Sequence, residues 1–169
     1  MVLKPGSADR VDAVVALAGN PNVGKSTIFN ALTGLRQHTG NWPGKTVVNA
    51  RGTYTHGNRR YALMDLPGCY SLFARSAEEE VARDFVCFGH PDAVVVVNDA
   101  ACLERNLILV LQTLELTGQV VMCVNLMDEA KKRRISIDLD VLSARLGISA
   151  VGTAARSKRG LGALTHHIK

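Results

Sequence analysis

Between an apolar run at 13–18 and a helix-forming stretch at 25–32 stands the octet Gly19-Asn20-Pro21-Asn22-Val23-Gly24-Lys25-Ser26, and nothing else in the chain narrows its fold as much. The octet fits GxxxxGK[ST], in the strand–turn–helix context that pattern needs. Its glycines let the backbone curl so that successive N–H groups converge on phosphate oxygens. A helix starting near Lys25 adds its dipole and its free N–H groups. Lys25 is placed to reach β- and γ-phosphates and the Ser26 hydroxyl to ligate Mg²⁺. Asn20, Pro21, Asn22, Val23, Gly24 and Thr27 complete the expected nucleotide-binding set at this end. The competing reading is a glycine-rich turn with no ligand.

Beyond the octet, strands and helices alternate. Strands are predicted at 13–18, 47–55, 59–64, 93–98, 119–125 and 149–151, the second and third joined by a turn at His56-Gly57-Asn58. Helices are predicted at 25–32, 77–86, 103–116, around 138–146, and at 161–168. The acidic run Glu78-Glu79-Glu80 suits the positive end of its helix dipole. Two stretches, 34–45 and 65–76, read as irregular. Strands alternating with helices imply an α/β domain: a mostly parallel sheet of six or seven strands, covered by helices on both faces. Residues 1–12 read as a loose arm and 13–169 as the domain itself. A chain of 169 residues at 47% hydrophobic has enough apolar material for one real core. No apolar run reaches the roughly 18 residues that cross a bilayer, and no signal peptide is expected. Cys69, Cys87, Cys102 and Cys123 lack CxxC spacing, so neither a zinc site nor a disulfide frame is expected and a reducing compartment is.

In such sheets ligands bind beyond the carboxyl ends of the strands, and the unusual residues cluster there, after the first, third, fifth and sixth predicted strands. Asp65-Leu66-Pro67-Gly68 supplies a carboxylate for Mg²⁺ and, at Gly68, a backbone N–H for a γ-phosphate. Thr46 offers a further hydroxyl for Mg²⁺, with Thr39 as its competitor. Asn125-Leu126-Met127-Asp128 closes another apolar strand. A carboxylate at Asp128 can accept from both N1–H and the exocyclic amine of guanine, a donor pair that adenine does not present. Such paired polar readout discriminates strongly. Asn125 would tie the base to the phosphate loop, and the backbone N–H of Ala155, in Thr153-Ala154-Ala155, can donate to guanine O6. The plainer reading makes Asn125 and Asp128 caps of the next helix.

With these pieces in place the chain resembles the small Ras-like P-loop GTPases. More narrowly, it resembles the amino-terminal G domain of the bacterial ferrous iron transport protein B family. The resemblance is carried by Gly19-Asn20-Pro21-Asn22, Gly40-Asn41-Trp42-Pro43-Gly44, Asp65-Leu66-Pro67-Gly68 with Tyr70-Ser71-Leu72, Asn98-Asp99-Ala100 with Leu103-Glu104-Arg105-Asn106-Leu107, and Asn125 onward. It implies a GTP-binding and slowly GTP-hydrolysing cytoplasmic domain of a bacterial inner-membrane protein that takes up Fe²⁺. Mg²⁺ and GTP or GDP are the implied cofactors. The implied partners are guanine nucleotide and the transmembrane iron-permease part, with room for a small cytoplasmic regulator and for self-association; no nucleic acid is expected. The resemblance gives Lys25, Thr46 and Gly68 as catalytic, Met127 as a base contact, Ser26, Thr46 and Asp65 as Mg²⁺ ligands, and Asn22 as a K⁺ ligand. For Asn22, merely shaping the turn is the alternative.

The sequence departs from the pattern at Leu126, where generic GTPases carry lysine, at Cys69, where Ras-like enzymes place a water-orienting glutamine, and at Ala154, where serine is common. Lys45 stands where the family often has an aliphatic residue. With no such glutamine and no arginine finger, basal hydrolysis is expected near the intrinsic Ras scale of roughly 10⁻⁴–10⁻³ per second. The irregular stretches 34–46 and 65–76 are the expected switches. Trp42 inside the first reads either as an exposed contact or as a local clasp. Two other functions stay open: a nucleotide sensor with negligible turnover, and a ribosome-assembly GTPase gripping RNA, which a net charge of +5 would suit.

Overall fold

Strands with almost no polar residues in their middles can be buried only between two layers of helices, and that is how they lie. The computed structural model describes residues 10–34, 37–73 and 75–168. The predicted arm at 1–12 therefore falls mostly outside the described residues. Its last residue, Asp12, is docked: the Asp12 N–H donates to the Arg60 carbonyl, and the Arg60 N–H to Asp12 Oδ2, each at 2.7 Å.

In chain order the elements are β1 (Ala13–Gly19), α1 (Lys25–Thr33), β2 (Gln37–Asn41), β3 (Val48–His56), β4 (Arg59–Asp65), α2 (Ala77–Phe88), β5 (Ala93–Asp99), α3 (Leu103–Leu116), β6 (Val120–Asn125), α4 (Met127–Lys132), α5 (Leu139–Leu146), β7 (Ser149–Gly152) and α6 (Leu161–His167). The strands form one seven-stranded sheet in the order β2-β3-β4-β1-β5-β6-β7. Strands β4, β1, β5, β6 and β7 run parallel, and β3 is antiparallel to both β2 and β4.

Strand alternation splits the core into two layers. Val15, Leu17, Val95, Val97, Val121 and Cys123 face α1 and α6, packing on Ile28, Phe29, Leu161 and Leu164. Their neighbours Ala16, Ala18, Val94, Val96, Met122 and Val124 face the opposite layer, against Ala82, Val86, Leu109, Val110 and Ala130. Strand β5 reads AVVVVND because both its faces are covered. Among the described residues no helix is long and apolar enough to cross a membrane.

Most elements fall where the sequence predicts them, with three differences. The stretch 34–45, expected to be irregular, contains β2, whose sequence QHTGN has no apolar alternation and is strand only because β3 offers an edge. The six residues of α4 form a single turn-and-a-half with only Met127 and Ala130 apolar, too short for periodicity to reveal. The turn after β3 needs only Gly57 and Asn58, as His56 pairs with Arg59 and Gly57 supplies the positive φ of 59°.

Leu17→Ala removes a fully buried side chain from the central strand and should cost about 3 kcal/mol in urea unfolding. Burial pushes the thiols of Cys69 and Cys123 up, to about 11 and about 12. Their folded pKa values lie above the unfolded one of about 8.5, so the stability they contribute is complete below that pH and is lost as pH rises toward the folded values. Thermal melting should therefore be flat from about pH 7 to 8 and fall from about pH 9 to 11, and Cys69→Ala with Cys123→Ala should flatten that fall.

Candidate functional site

Because β1, β4, β6 and β7 are parallel, the segments that leave them open onto the same edge of the sheet. The loop after β1 is shaped by backbone demands. Gly19 sits so close to β5 that an added Cβ would lie 2.8 Å from the Val97 carbonyl oxygen. Asn22 has φ 65°, a conformation asparagine tolerates better than most residues. Gly24 has φ 84° and caps α1 with no side-chain hydrogen bond, and the first turn of α1 carries no acidic residue. The free N–H groups and dipole of α1 therefore face a site open to an anion. Asn20 and Val23 are buried, while Asn22, Ser26 and Thr27 are exposed.

The Lys25 ammonium is hydrogen-bonded to Asp65 Oδ1, both side chains being mostly buried. Burial raises the Asp65 carboxyl above its usual range, and the Lys25 charge and hydrogen bond oppose that rise. A buried carboxylate of this kind calls for a cation beside it. The segment after β4 then runs along β1: Leu66 N–H donates to Leu17 O at 3.0 Å and Cys69 N–H to Gly19 O at 3.1 Å. A side chain on Gly68 would press against Pro21, 3.3 Å from its Cα. The segment is also held to α3, by Leu72 N–H donating to Gln112 Oε1 at 2.8 Å and by Arg105 stacking over Tyr70 at 4.5 Å. Cys69 is buried behind it.

The other irregular stretch closes the β2–β3 hairpin. Trp42 N–H donates to Val47 O at 2.8 Å, and Thr46 is exposed in the turn while Thr39 lies in β2 opposite Ala50. Trp42 is half-buried and packs edge-on against Phe85 of α2, with ring centroids 5.4 Å apart. Lys45, one residue before Thr46, pairs with Glu80 of α2 at 2.6 Å. Of the two readings of Trp42, the local clasp is the one seen.

At the other end of the site one side chain joins three loops. Asn125, 1% exposed, donates through Nδ2 to Val23 O at 3.0 Å. Its Oδ1 accepts from the Thr153 hydroxyl at 2.9 Å and from Ala155 N–H at 3.1 Å. A Cβ on Gly24 would collide with the same amide. Asn125 is thus a bridge between loops, and α4 has no side-chain cap. Asp128 is half-buried in the first turn of α4, after Leu126 at φ 62°, and Met127 N–H donates to Thr153 O at 3.1 Å. Thr153 is buried, its hydroxyl engaged with Asn125 and 3.3 Å from Cys123 Sγ. Ala154 and Ala155 are buried beside it.

Asn98, Asp99 and Asn106, to which the sequence pattern assigns no role, form a polar set at the end of β5, with Asn98 and Asn106 buried. Asn98 Nδ2 donates to Val96 O at 2.7 Å, and Asn106 Oδ1 accepts from Asp99 N–H at 2.7 Å. Their one signal in the sequence is a pair of polar residues ending an otherwise apolar strand.

Comparisons with known proteins bear on the family and the fold. Residues 13–168 match the family model described as ferrous iron transport protein B. The Fe(2+) transporter FeoB of Escherichia coli K12 is 43% identical over 154 residues, 89% of this chain and 20% of that protein. The chain thus spans about a fifth of the length of the curated relatives it matches. Among solved structures, the G domain of the T. maritima FeoB iron transporter matches with a TM-score of 0.87 at 43% identity, covering 92% of this chain and 96% of that one. The T. maritima cytosolic domain in its GMPPNP form gives 0.90 at 43% identity, over 92% and 61% of the two chains. The FeoB G domain from Methanococcus jannaschii gives 0.82 at 43%, over 92% and 94%.

Asn125→Ala leaves Val23 O, the Thr153 hydroxyl and Ala155 N–H without their shared partner, and should cost about 2–4 kcal/mol in denaturant unfolding. Asn125→Asp, which buries a carboxylate and sets one of its oxygens against Val23 O, should cost at least as much as the alanine variant.

Proposed function

The chain belongs to the ferrous iron transport protein B family, whose G domain is of the GTPase type, and from that premise we propose that it binds GTP and hydrolyses it slowly, as the regulatory part of a ferrous iron transporter. The observation that carries the reading is the convergence of the loop at 19–26, Asp65–Gly68, Asn125–Asp128 and Thr153–Ala155 on one sheet edge, bridged by Asn125.

In this reading the N–H groups of Asn22, Val23 and Gly24 and of the α1 N-terminus cradle the phosphates, and Lys25 exchanges part of its contact with Asp65 for the β- and γ-phosphates. Asp65, Ser26 and Thr46 are hydroxyl and carboxylate donors of the kind Mg²⁺ takes. When bound there, Mg²⁺ neutralises phosphate charge. Gly68 presents its N–H to the γ-phosphate. Asp128 accepts from guanine N1–H and the 2-amino group, with Met127 alongside the base, and Ala155 N–H is shared between Asn125 and guanine O6. The Asn22 side-chain oxygen, exposed at the loop's apex, suits a monovalent cation, and K⁺ there would add positive charge next to the developing charge on the transferred phosphoryl group.

The reaction is in-line attack of water on the γ-phosphorus, with catalysis by positioning and charge. Cys69 is a thiol buried away from solvent, so no water-orienting role is assigned to it. Iron uptake, a cytoplasmic location and coupling to a membrane-embedded permease are the corresponding proposals for the whole protein.

Multiple-turnover phosphate release from GTP tests this. Wild type should turn over slowly, at roughly 10⁻⁴–10⁻³ per second in NaCl, and faster in matched KCl. Asp128→Asn offers a donor where an acceptor stood, so it should lose GTP and gain xanthosine triphosphate, whose C2 carries an oxygen. Phosphate release that ignores Asp128→Asn would remove the guanine assignment. Nucleotide binding with no turnover in either salt would leave a sensor module.

A further inference from the structure

The basic residues at 131–134 and Arg156, Lys158 and Arg159 lie on two segments that the fold brings side by side. The junction is Met127 N–H donating to Thr153 O at 3.1 Å, which seats the start of α4 against the loop leaving β7. All seven side chains are exposed. Of the seven, Lys132 makes an ion pair among the described residues, with Glu129 at 2.9 Å. That hydrogen bond raises the Lys132 ammonium, and Arg156 across the gap pushes it the other way, so the two segments share one electrostatic field. Four carboxylates are near in sequence: Asp128 and Glu129 on α4, and Asp138 and Asp140 at the start of α5. Glu129 is paired and Asp138 caps the Val141 N–H at 2.9 Å.

Two further features distinguish this face from a merely solvated helix end. Arg134 and Lys158 adopt φ of 58° and 57°, left-handed conformations that strain an L-residue and not glycine. Elsewhere the chain places Gly34 and Gly147, but also Asn22, His90 and Leu126, in this conformation. At the edges of this face the residues so placed are cations. Next to Arg134, Ile135 stands 39% exposed, its backbone tied by its N–H to Ala130 O at 2.9 Å, and so presents an apolar side chain beside the charge.

We infer that this face, built from the end of α4 and the loop after β7, docks on an anionic membrane surface, its Lys and Arg side chains on lipid phosphates and Ile135 in the headgroup layer. The inference rests on the reading of the chain as part of a membrane transporter. Clustered cations beside an exposed apolar residue are the composition that binds anionic headgroups. RNA is the weaker candidate, because neither segment carries an aromatic side chain on which a base could stack.

The test is flotation of the chain with vesicles of phosphatidylcholine alone and with phosphatidylglycerol added, at low and high salt, alongside retention on single- and double-stranded RNA. Binding of a fluorescent GDP is measured on every sample. Wild type should float only with phosphatidylglycerol vesicles and be released by salt. Arg133→Glu with Lys158→Glu should weaken that partition by at least about 25-fold, from about fivefold per lost charge, and Ile135→Ser should weaken it without altering the salt slope. Reversing two cations elsewhere, Arg10→Glu with Arg51→Glu, should leave most of it. No flotation with GDP binding intact would overturn this inference alone, as would flotation equally reduced by both reversals. Retention on RNA without flotation would replace the membrane by RNA. Loss of GDP binding in wild type would instead overturn the function proposed for the nucleotide site.

Discussion

A single buried amide holds the candidate site together. Asn125 donates through its nitrogen to the loop after β1 and accepts through its oxygen from the loop after β7, so three chain segments far apart in sequence share one position. Breaking a buried polar hub leaves several groups unmatched at once, which costs more than the loss of any one hydrogen bond. Gly24 is constrained by the same amide as well as by its own φ. The geometry of the anion-facing loop and that of the base-facing loops are therefore not independent.

A second contact sets the electrostatics. Lys25 and Asp65 face each other where burial penalises the carboxylate. Each satisfies the other, and in the proposed function each is also a group that Mg-nucleotide would recruit. The flanking segments are held by weaker and more peripheral ties: Trp42 on Phe85, Lys45 on Glu80, Tyr70 under Arg105. Partly exposed contacts of this kind are the ones a switching segment can exchange at low cost.

Much of this is legible in the sequence. The octet at 19–26, the apolar run of β5 and the strand–helix alternation lead to the sheet and to the edge where the site lies, because parallel strands must be apolar on both faces and a phosphate loop needs its glycines. Asn125 is readable as a tie to the phosphate loop. Its second tie, to Ala155, is not, because a backbone donor leaves no mark in residue identity. Strand β2 is hidden for a related reason: Gln37–Asn41 has no strand pattern of its own and exists through pairing with β3. Trp42 is ambiguous because its partner, Phe85, lies 43 positions away by residue number. The polar cluster at Asn98, Asp99 and Asn106 is visible as a motif without a role, since its hydrogen bonds depend on how β6 and the start of α3 lie against the end of β5.

Central to the proposed activity is a guanine-specific nucleotide site assembled from four loops. Calorimetric titration of the chain with Mg-GDP and with Mg-ADP tests it most directly. Saturable binding of GDP at one site per chain is expected, with no measurable heat from ADP and with Asp128→Ala losing that preference. Equal binding of the two nucleotides, or binding of neither, would contradict it.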